Sequence, residues 1–383
     1  MNARLGRVAA LASALALLQL PWADVVNAAA TAPRGEPAGA PAVDSPTRCA
    51  PSSGRDCLVA AAARLAGRIS DPVWRGYSFV ACAVAGGGVQ DYLREARRAQ
   101  AIVAAGAERL SLKASMAVLL GDFAAARAAA AGIEDAARRS FAFSAIATGA
   151  QARATPREGL LAIEAGFASA EEIGDPWSRA LALAALVEPA SRLGARDVAH
   201  AALERAGASA RLPADGWMRG LASSRVAEAR AVLGDADGAA ELARALPEAA
   251  MRDRALSRIA LALAPADARG AARIASSSAG DLPRAEALAA VAASHAGREP
   301  AVAAGFLAEA KRRVARSAAA ADEDGYDLSA ALQRIAAAQQ ALGDGAGAGA
   351  SLAEALEVVA GIPEERWRAQ ALGEIMSMAS TLP

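Results

Sequence analysis

Few residues in this sequence have the types and spacing that catalysis or metal binding requires. The chain has two histidines, His200 and His295, and neither stands beside a cysteine or in an HExxH motif. His295 follows Leu288 by seven residues, which is two helical turns, so we expect it at the edge of a core. We expect His200 on an exposed helix face. The sequence therefore predicts no catalytic residue, no metal site, no cofactor and no enzymatic activity.

A pairing of tryptophan with arginine is the most suggestive pattern for ligand binding. Four tryptophans stand at the start of a predicted helix, each with an arginine one or two residues later. In a stack of repeats these pairs would form a row, and both residue types are enriched at binding hot spots. Alternatively, each tryptophan packs its helix start onto the preceding element. The pairs are Trp74 with Arg75, Trp177 with Arg179, Trp217 with Arg219, and Trp367 with Arg368.

The first residues have the pattern of an export signal. Arg4 and Arg7 precede an apolar run over 8–20, which is too short to span a bilayer comfortably, and small residues lead up to Ala28. We expect residues 1–28 to be a signal peptide, cleaved near Ala28. The mature chain would then be periplasmic or secreted, with no transmembrane segment.

Export to an oxidising compartment favours a disulfide. Cys49 and Cys57 flank a short loop with a proline and a glycine, and we expect them to pair; the alternative is two free surface thiols. Cys82 lies in an apolar helical stretch, where a small buried core residue is expected. Residues 29–55 contain five prolines and predict a flexible linker, while 56–383 predict the folded domain.

Composition predicts that this domain is helical. The chain is 54% hydrophobic but only 4% aromatic, and alanine, the best helix former, dominates it. Lysine plus arginine and aspartate plus glutamate number 41 each, so the chain lacks the basic excess typical of nucleic-acid binding.

Apolar residues recur at the helical period, and the helices recur in pairs. Leu256, Ile259, Ala260 and Leu263 fall on one helix face, and the same template returns along the chain at separations of about 32 to 44 residues, which is typical of a helical-hairpin repeat. We predict an all-α fold with about eight antiparallel hairpins.

One phrase marks the turn inside four of these hairpins. Leu-Gly ends the first helix, an aspartate often follows as the cap of the second, and an alanine stands five residues after the glycine. The glycines are Gly121, Gly194, Gly234 and Gly343. Asp71-Pro72, Asp175-Pro176 and Thr155-Pro156 predict further helix starts, the last with Glu158 completing a capping box.

The Gly-Asp turn followed by alanine resembles the tetratricopeptide repeat (TPR) family. LGDADGAAELARALP even ends on a proline, Pro247, where that family has one. The repeats here vary in length, and the bulky aromatics of the family's first helix are mostly alanine or leucine. The resemblance implies an α-solenoid, a right-handed superhelix with a concave groove.

These observations favour an exported, non-enzymatic α-solenoid scaffold that mediates protein–protein interaction in the bacterial envelope by holding a protein or peptide partner. Two alternatives remain open. The first is an α/α-type enzyme or accessory protein that acts on cell-wall or other polysaccharide. The second is an oligomerising structural repeat protein, because Ile375 and Met378 leave the last helix apolar near the end of the chain.

Overall fold

The computed structural model describes residue 49 and residues 54–86, 88–319 and 325–382. Within these ranges the chain forms eighteen α-helices and no β-strand, as an all-α prediction requires. The expected signal peptide, 1–28, and nearly all of the expected linker, 29–55, lie outside the described residues. None of the described helices is both long enough and apolar enough to cross a bilayer.

The helices alternate between two layers. The even-numbered ones form one layer: α2 Pro72–Ala85, α4 Ala107–Leu120, α6 Ala136–Ala152, α8 Pro176–Arg192, α10 Gly216–Val232, α12 Ala249–Leu263, α14 Asp281–His295, α16 Gly325–Ala341 and α18 Glu365–Ala379. The odd-numbered ones form the other: α1 Arg55–Gly67, α3 Val89–Ile102, α5 Phe123–Ala131, α7 Pro156–Glu171, α9 Arg196–Ala210, α11 Ala236–Arg244, α13 Ala268–Ser277, α15 Pro300–Ala319 and α17 Gly345–Ala360.

Each even-numbered helix packs against the even-numbered helices before and after it, and each of them except α18 also packs against the odd-numbered helix that follows. This series does not end at α18, because α18 packs closely on α2. The even-numbered helices therefore form a closed inner ring. The odd-numbered helices lie outside it, and α1 packs against α2, α17 and α18, in the outer position beside the first and last inner helices.

Hydrogen bonds and apolar packing both hold the ring closed. The Glu365 carboxylate at the start of α18 accepts hydrogen bonds from the Ser70 amide at 2.8 Å, the Ser70 hydroxyl at 2.9 Å and the Asp71 amide at 2.9 Å. One buried cluster also runs through the junction, from Leu58 in α1 to Leu382 after α18.

Closure changes the architecture expected from the sequence. An open superhelix has two free ends, whereas here eight consecutive hairpins, α2–α3 through α16–α17, are followed by a ninth position that α18 and α1 complete together. For the same reason the last helix has no uncovered apolar face at Ile375, which is fully buried. Met378, the other residue on which the oligomer hypothesis was based, is half-buried against the same cluster, and the hypothesis stays a prediction.

The repeated turn has the geometry that its residues predict. Gly121, Gly194, Gly234 and Gly343 all have positive φ, at 79°, 82°, 90° and 84°, a region that favours glycine because it has no Cβ. The three aspartates that follow such glycines cap the next helix by accepting a hydrogen bond from a backbone amide, at 2.8 to 3.0 Å: Asp122, Asp235 and Asp344.

The turn before α7 departs from the prediction. Ala154 stands where the other turns have glycine and takes φ 57°. The Thr155 hydroxyl donates to the carbonyl of Ala150 at 3.0 Å instead of capping α7, and Glu158 pairs with Arg127 of α5. The predicted capping box is therefore wrong, because Thr155 bonds back to α6 of its own hairpin and Glu158 pairs with α5 of the preceding hairpin.

Small residues set the distance between the layers. The alanine five residues after each turn glycine is fully buried in all four cases: Ala126, Ala199, Ala239 and Ala348. Because alanine carries a single methyl group, the outer helix lies close against its inner partner. Leu256, Ile259, Ala260 and Leu263 are all buried as well, as their helical spacing predicts.

Candidate functional site

The tryptophans of the predicted row lie near one face of the ring, because the inner helices run in the same direction and the tryptophans stand at their starts. Trp177 is buried, with 4% of its surface exposed, while Trp74, Trp217 and Trp367 are half-buried. Trp74 lies beside Tyr77, with ring centroids 6.1 Å apart. The row is thus largely packed into the helix starts.

Three of the four arginines of the row hydrogen-bond to backbone carbonyls. Arg75, Arg219 and Arg368 donate to the carbonyl six residues earlier, at 3.3, 2.9 and 3.0 Å. This contact ties the turn that enters each inner helix to the helix itself. Arg179 is half-buried at the equivalent place in α8.

Two cysteines that the sequence pairs are joined in the structure. Cys49 and Cys57 form a disulfide at the start of α1, with their Cα atoms 5.9 Å apart. Cys82 is buried in α2, and burial raises the pKa of its thiol to about 12. A thiol in that state is mostly protonated at neutral pH and is a poor nucleophile.

The two histidines occupy different places. His295 is buried near the end of α14, with its Nδ1 3.4 Å from a Glu299 carboxylate oxygen and its ring 5.9 Å from that of Phe306. His200 is exposed on the outer helix α9. No group of three or more histidine, cysteine, aspartate or glutamate side chains among the described residues is arranged to hold a metal ion.

The structure brings together a different set of polar residues, which we name the lumen cluster. They come from six consecutive inner helices, α8 to α18. Burial raises the pKa of Glu188 on α8, and the positive charge of Arg334 on α16, four inner helices away, acts against that shift. The cluster comprises Glu188, Arg192, Arg225, Glu228, Arg258, Glu286, Tyr326, Arg334, Gln370 and Glu374.

One half of the lumen cluster consists of ion pairs. Arg225 Nη1 donates to a Glu228 carboxylate oxygen at 2.9 Å, while Arg258 Nη1 lies 3.6 Å from the same carboxylate. Arg334 Nε lies 3.8 Å from Glu286. The lumen cluster as a whole contains four arginines and four glutamates, so its formal charge is balanced.

The other half is a hydrogen-bonded triad. The Tyr326 hydroxyl donates to Glu374 at 2.8 Å and accepts from the Gln370 amide at 2.6 Å. The ring of Trp367 lies 5.4 Å from that of Tyr326. Trp367 is thus the member of the predicted tryptophan row that approaches the lumen cluster.

Enclosure shifts the pKa values of the cluster's carboxyl groups. Burial raises the pKa of Glu188 and of Glu374 above the usual 4.5, although Arg192 opposes the shift at Glu188 and a hydrogen bond from Tyr326 opposes it at Glu374. Burial also acts on Glu228, but Arg258 and Arg225 outweigh it, so the pKa of Glu228 is lowered. The site therefore holds one firmly ionised carboxylate and two that gain protons more readily.

Such an arrangement is suited to binding a polar molecule. It offers guanidinium donors, carboxylate acceptors and an aromatic edge within one enclosed surface. The sequence gives little sign of it, because these residues look like the polar faces of separate amphipathic helices. The signal that exists is local. Oppositely charged residues stand three or four positions apart on inner helices, as in Arg225 with Glu228 and Glu188 with Arg192.

A comparison with known protein families finds no family model that matches this chain, and a comparison with characterised proteins finds no similar sequence.

Proposed function

We propose that this protein is a non-enzymatic binding scaffold, built from TPR-like hairpins, that holds a protein or peptide segment at the lumen cluster. The observation that carries the proposal is the convergence of charged side chains from α8, α10, α12, α14, α16 and α18 on one enclosed surface. Glu188, Arg192, Arg258 and Arg334 keep 42 to 50% of their side-chain surface exposed on the inside of the ring, so their charged groups are accessible to a ligand.

The partner's chemistry follows from the surface. A protein or peptide partner carries hydrogen-bond donors and acceptors in its backbone amides, its carbonyls and its polar side chains. The guanidinium groups of the lumen cluster can donate to the acceptors, and its carboxylates can accept from the donors. A balanced charge disfavours nucleic acid, which would require a basic surface.

A capture experiment with matched variants tests this role. The full chain is used as bait in an envelope extract beside an Arg258→Ala/Glu374→Ala variant and an Arg269→Ala control; Arg269 lies on the outer helix α13 with 83% of its side chain exposed. We expect a partner captured by the wild type and the control and lost with the lumen variant. Equal capture by all three proteins, or no partner at all, would contradict the proposal.

We propose further that the protein is exported and works in the periplasm or outside the cell. The Cys49–Cys57 disulfide supports this location, because structural disulfides persist in oxidising compartments. Mass measurement of the protein isolated from its native cells is expected to show an N-terminus that follows Ala28. Recovery of the uncleaved chain with free thiols in the cytoplasmic fraction would rule it out.

A second function, an enzyme acting on polysaccharide, is favoured by one observation. A carboxyl group with a raised pKa is a typical general acid. Glu374 lies in the same cluster as three other glutamates, and the Trp367 ring lies 5.4 Å from that of Tyr326, which donates to Glu374. Hydrolysis of peptidoglycan or another glycan that disappears in Glu374→Gln would establish this function. Absence of activity on a glycan panel, with capture intact, would favour the scaffold.

A further inference from the structure

Two arginines of the lumen cluster make no hydrogen bond to another side chain within the described part of the chain. Arg258 lies 3.6 Å from Glu228 and Arg334 lies 3.8 Å from Glu286, and both distances are beyond hydrogen-bond range. The Arg258 side chain is 42% exposed and the Arg334 side chain is 50% exposed. Arg225, by contrast, makes a 2.9 Å hydrogen bond and keeps 21%. Since a guanidinium carries five N–H donors, Arg258 and Arg334 have donors available to a ligand.

These two arginines lie on either side of the same inner helix. Arg258 is on α12 and Arg334 on α16, which flank α14 and its Glu286. The inner faces of α12 and α16 approach one another across α14, because Arg254, one turn before Arg258, hydrogen-bonds to Asp327 of α16 at 2.6 Å. The two guanidinium groups therefore face a shared part of the lumen.

The charges around them define the ligand. A guanidinium matches a planar carboxylate, to which it can donate two parallel hydrogen bonds. The glutamates of the cluster would repel a second negative charge, but they accept hydrogen bonds from hydroxyl or ammonium groups. The Glu374 carboxylate already accepts from Tyr326 at 2.8 Å and from Gln370 at 3.4 Å, so it is positioned as an acceptor.

We propose that Arg258 and Arg334 bind the carboxylate of a ligand that carries a single negative charge, and that Glu188 and Glu374 accept hydrogen bonds from its hydroxyl or ammonium groups. Two sources share this chemistry: the end of a peptide and an acidic sugar. The proposal rests on the binding role of the lumen cluster and specifies what that cluster recognises.

Calorimetric titration of the full chain with three probes tests the proposal. Glycylglycine represents a peptide end, glucuronate an acidic sugar, and inorganic phosphate a compact, more highly charged anion. We expect saturable binding of glycylglycine or glucuronate, with the stronger of the two identifying the source. Affinity is expected to fall roughly tenfold or more in Arg258→Gln and in Arg334→Gln, as the loss of a charged hydrogen bond gives.

Matched controls separate a binding defect from a folding defect. Arg269→Gln removes an exposed arginine of the outer layer and is expected to bind like the wild type, and circular dichroism checks that every variant is folded. Three results would overturn the proposal: no saturation by either carboxylate up to about 10 mM, wild-type affinity in both lumen variants, or tighter binding of phosphate. Because the titration needs no protein partner, its failure leaves the capture experiment free to succeed or fail independently.

Discussion

Glu374 and Glu365 are held in opposite electrostatic environments. Burial raises the pKa of Glu374, so ionising this group costs the folded state free energy above that pKa. Burial also acts on Glu365, but hydrogen bonds from Ser70 and Asp71 outweigh it and lower the pKa of Glu365. The ionised Glu365 therefore stabilises the fold at pH values above its pKa in the unfolded chain, near 4.5. This stabilisation is lost as the pH falls through the lowered pKa of the folded state. One residue belongs to the lumen cluster and the other to the ring closure.

Replacing each glutamate by glutamine is expected to change stability in opposite directions. At pH 7, Glu374→Gln should raise the melting temperature because it removes an enclosed charge, and Glu365→Gln should lower the free energy of unfolding by less than about 1 kcal/mol because its site is partly exposed. Below pH 4 both differences should shrink, as each carboxyl group becomes protonated in the folded and unfolded states. Thermal unfolding from pH 3 to 8 measures this, and shifts of the same sign would contradict it.

Ala154 is the one non-glycine described residue with positive φ, and it occupies a turn position that glycine fills elsewhere. A left-handed backbone brings Cβ too close to the following carbonyl oxygen, which costs about 1 kcal/mol or more. At Gly234, φ is 90° and no atom lies within 4 Å of an added Cβ, so only the backbone conformation opposes a side chain there.

The two positions provide a matched pair of substitutions. Ala154→Gly is expected to stabilise the protein by about 1 kcal/mol and Gly234→Ala to destabilise it by a similar amount. For a domain of this size each change corresponds to a shift in melting temperature of roughly 2 °C, which calorimetry can resolve. A stabilising Gly234→Ala would show that the turn relaxes out of the left-handed region.

Side-chain caps and tryptophans stabilise the starts of several inner helices. Asp175 accepts a hydrogen bond from the Ser178 amide at 2.7 Å, and Trp177 is buried directly after it. Trp217 occupies the equivalent place in α10 but is only half-buried. The difference allows packing and ligand binding to be separated.

Trp177→Ala is expected to cost about 3 to 5 kcal/mol, as removal of a buried tryptophan does, and Trp217→Ala less. Chemical denaturation measures both, and partner capture is followed with the same variants. If Trp217→Ala keeps wild-type stability but loses the partner, the tryptophans act in binding rather than in packing.

Element starts and turns could be predicted from the sequence because their causes are local. Pro72, Pro156 and Pro176 begin helices as expected, and the positive φ at the four turn glycines follows from glycine alone. Glu158 shows the limit. Its pattern matches a capping box, yet it pairs with Arg127, a contact between hairpins that no short stretch of sequence describes.

At the scale of the whole molecule, ring closure depends on the sum of many small rotations between hairpins. The total rotation cannot be predicted from any single residue. A repeat pattern is therefore compatible with either an open superhelix or a closed ring. The lumen cluster was missed for the same reason. Arg225 with Glu228 reads as an exposed helical pair until closure places Arg258 and Tyr326 around it.

Because α1 fills the outer position beside α18, the first and last of the described helices are neighbours in the ring. A circular permutant that links Leu382 to Arg55 and opens the chain at Gly194, where no atom lies within 4 Å of an added Cβ, should therefore assemble the same ring. We expect native-like circular dichroism, cooperative unfolding and unchanged binding of the carboxylate probe. A permutant that fails to fold would show that the order in which the hairpins are synthesised, and not only their final contacts, determines the ring.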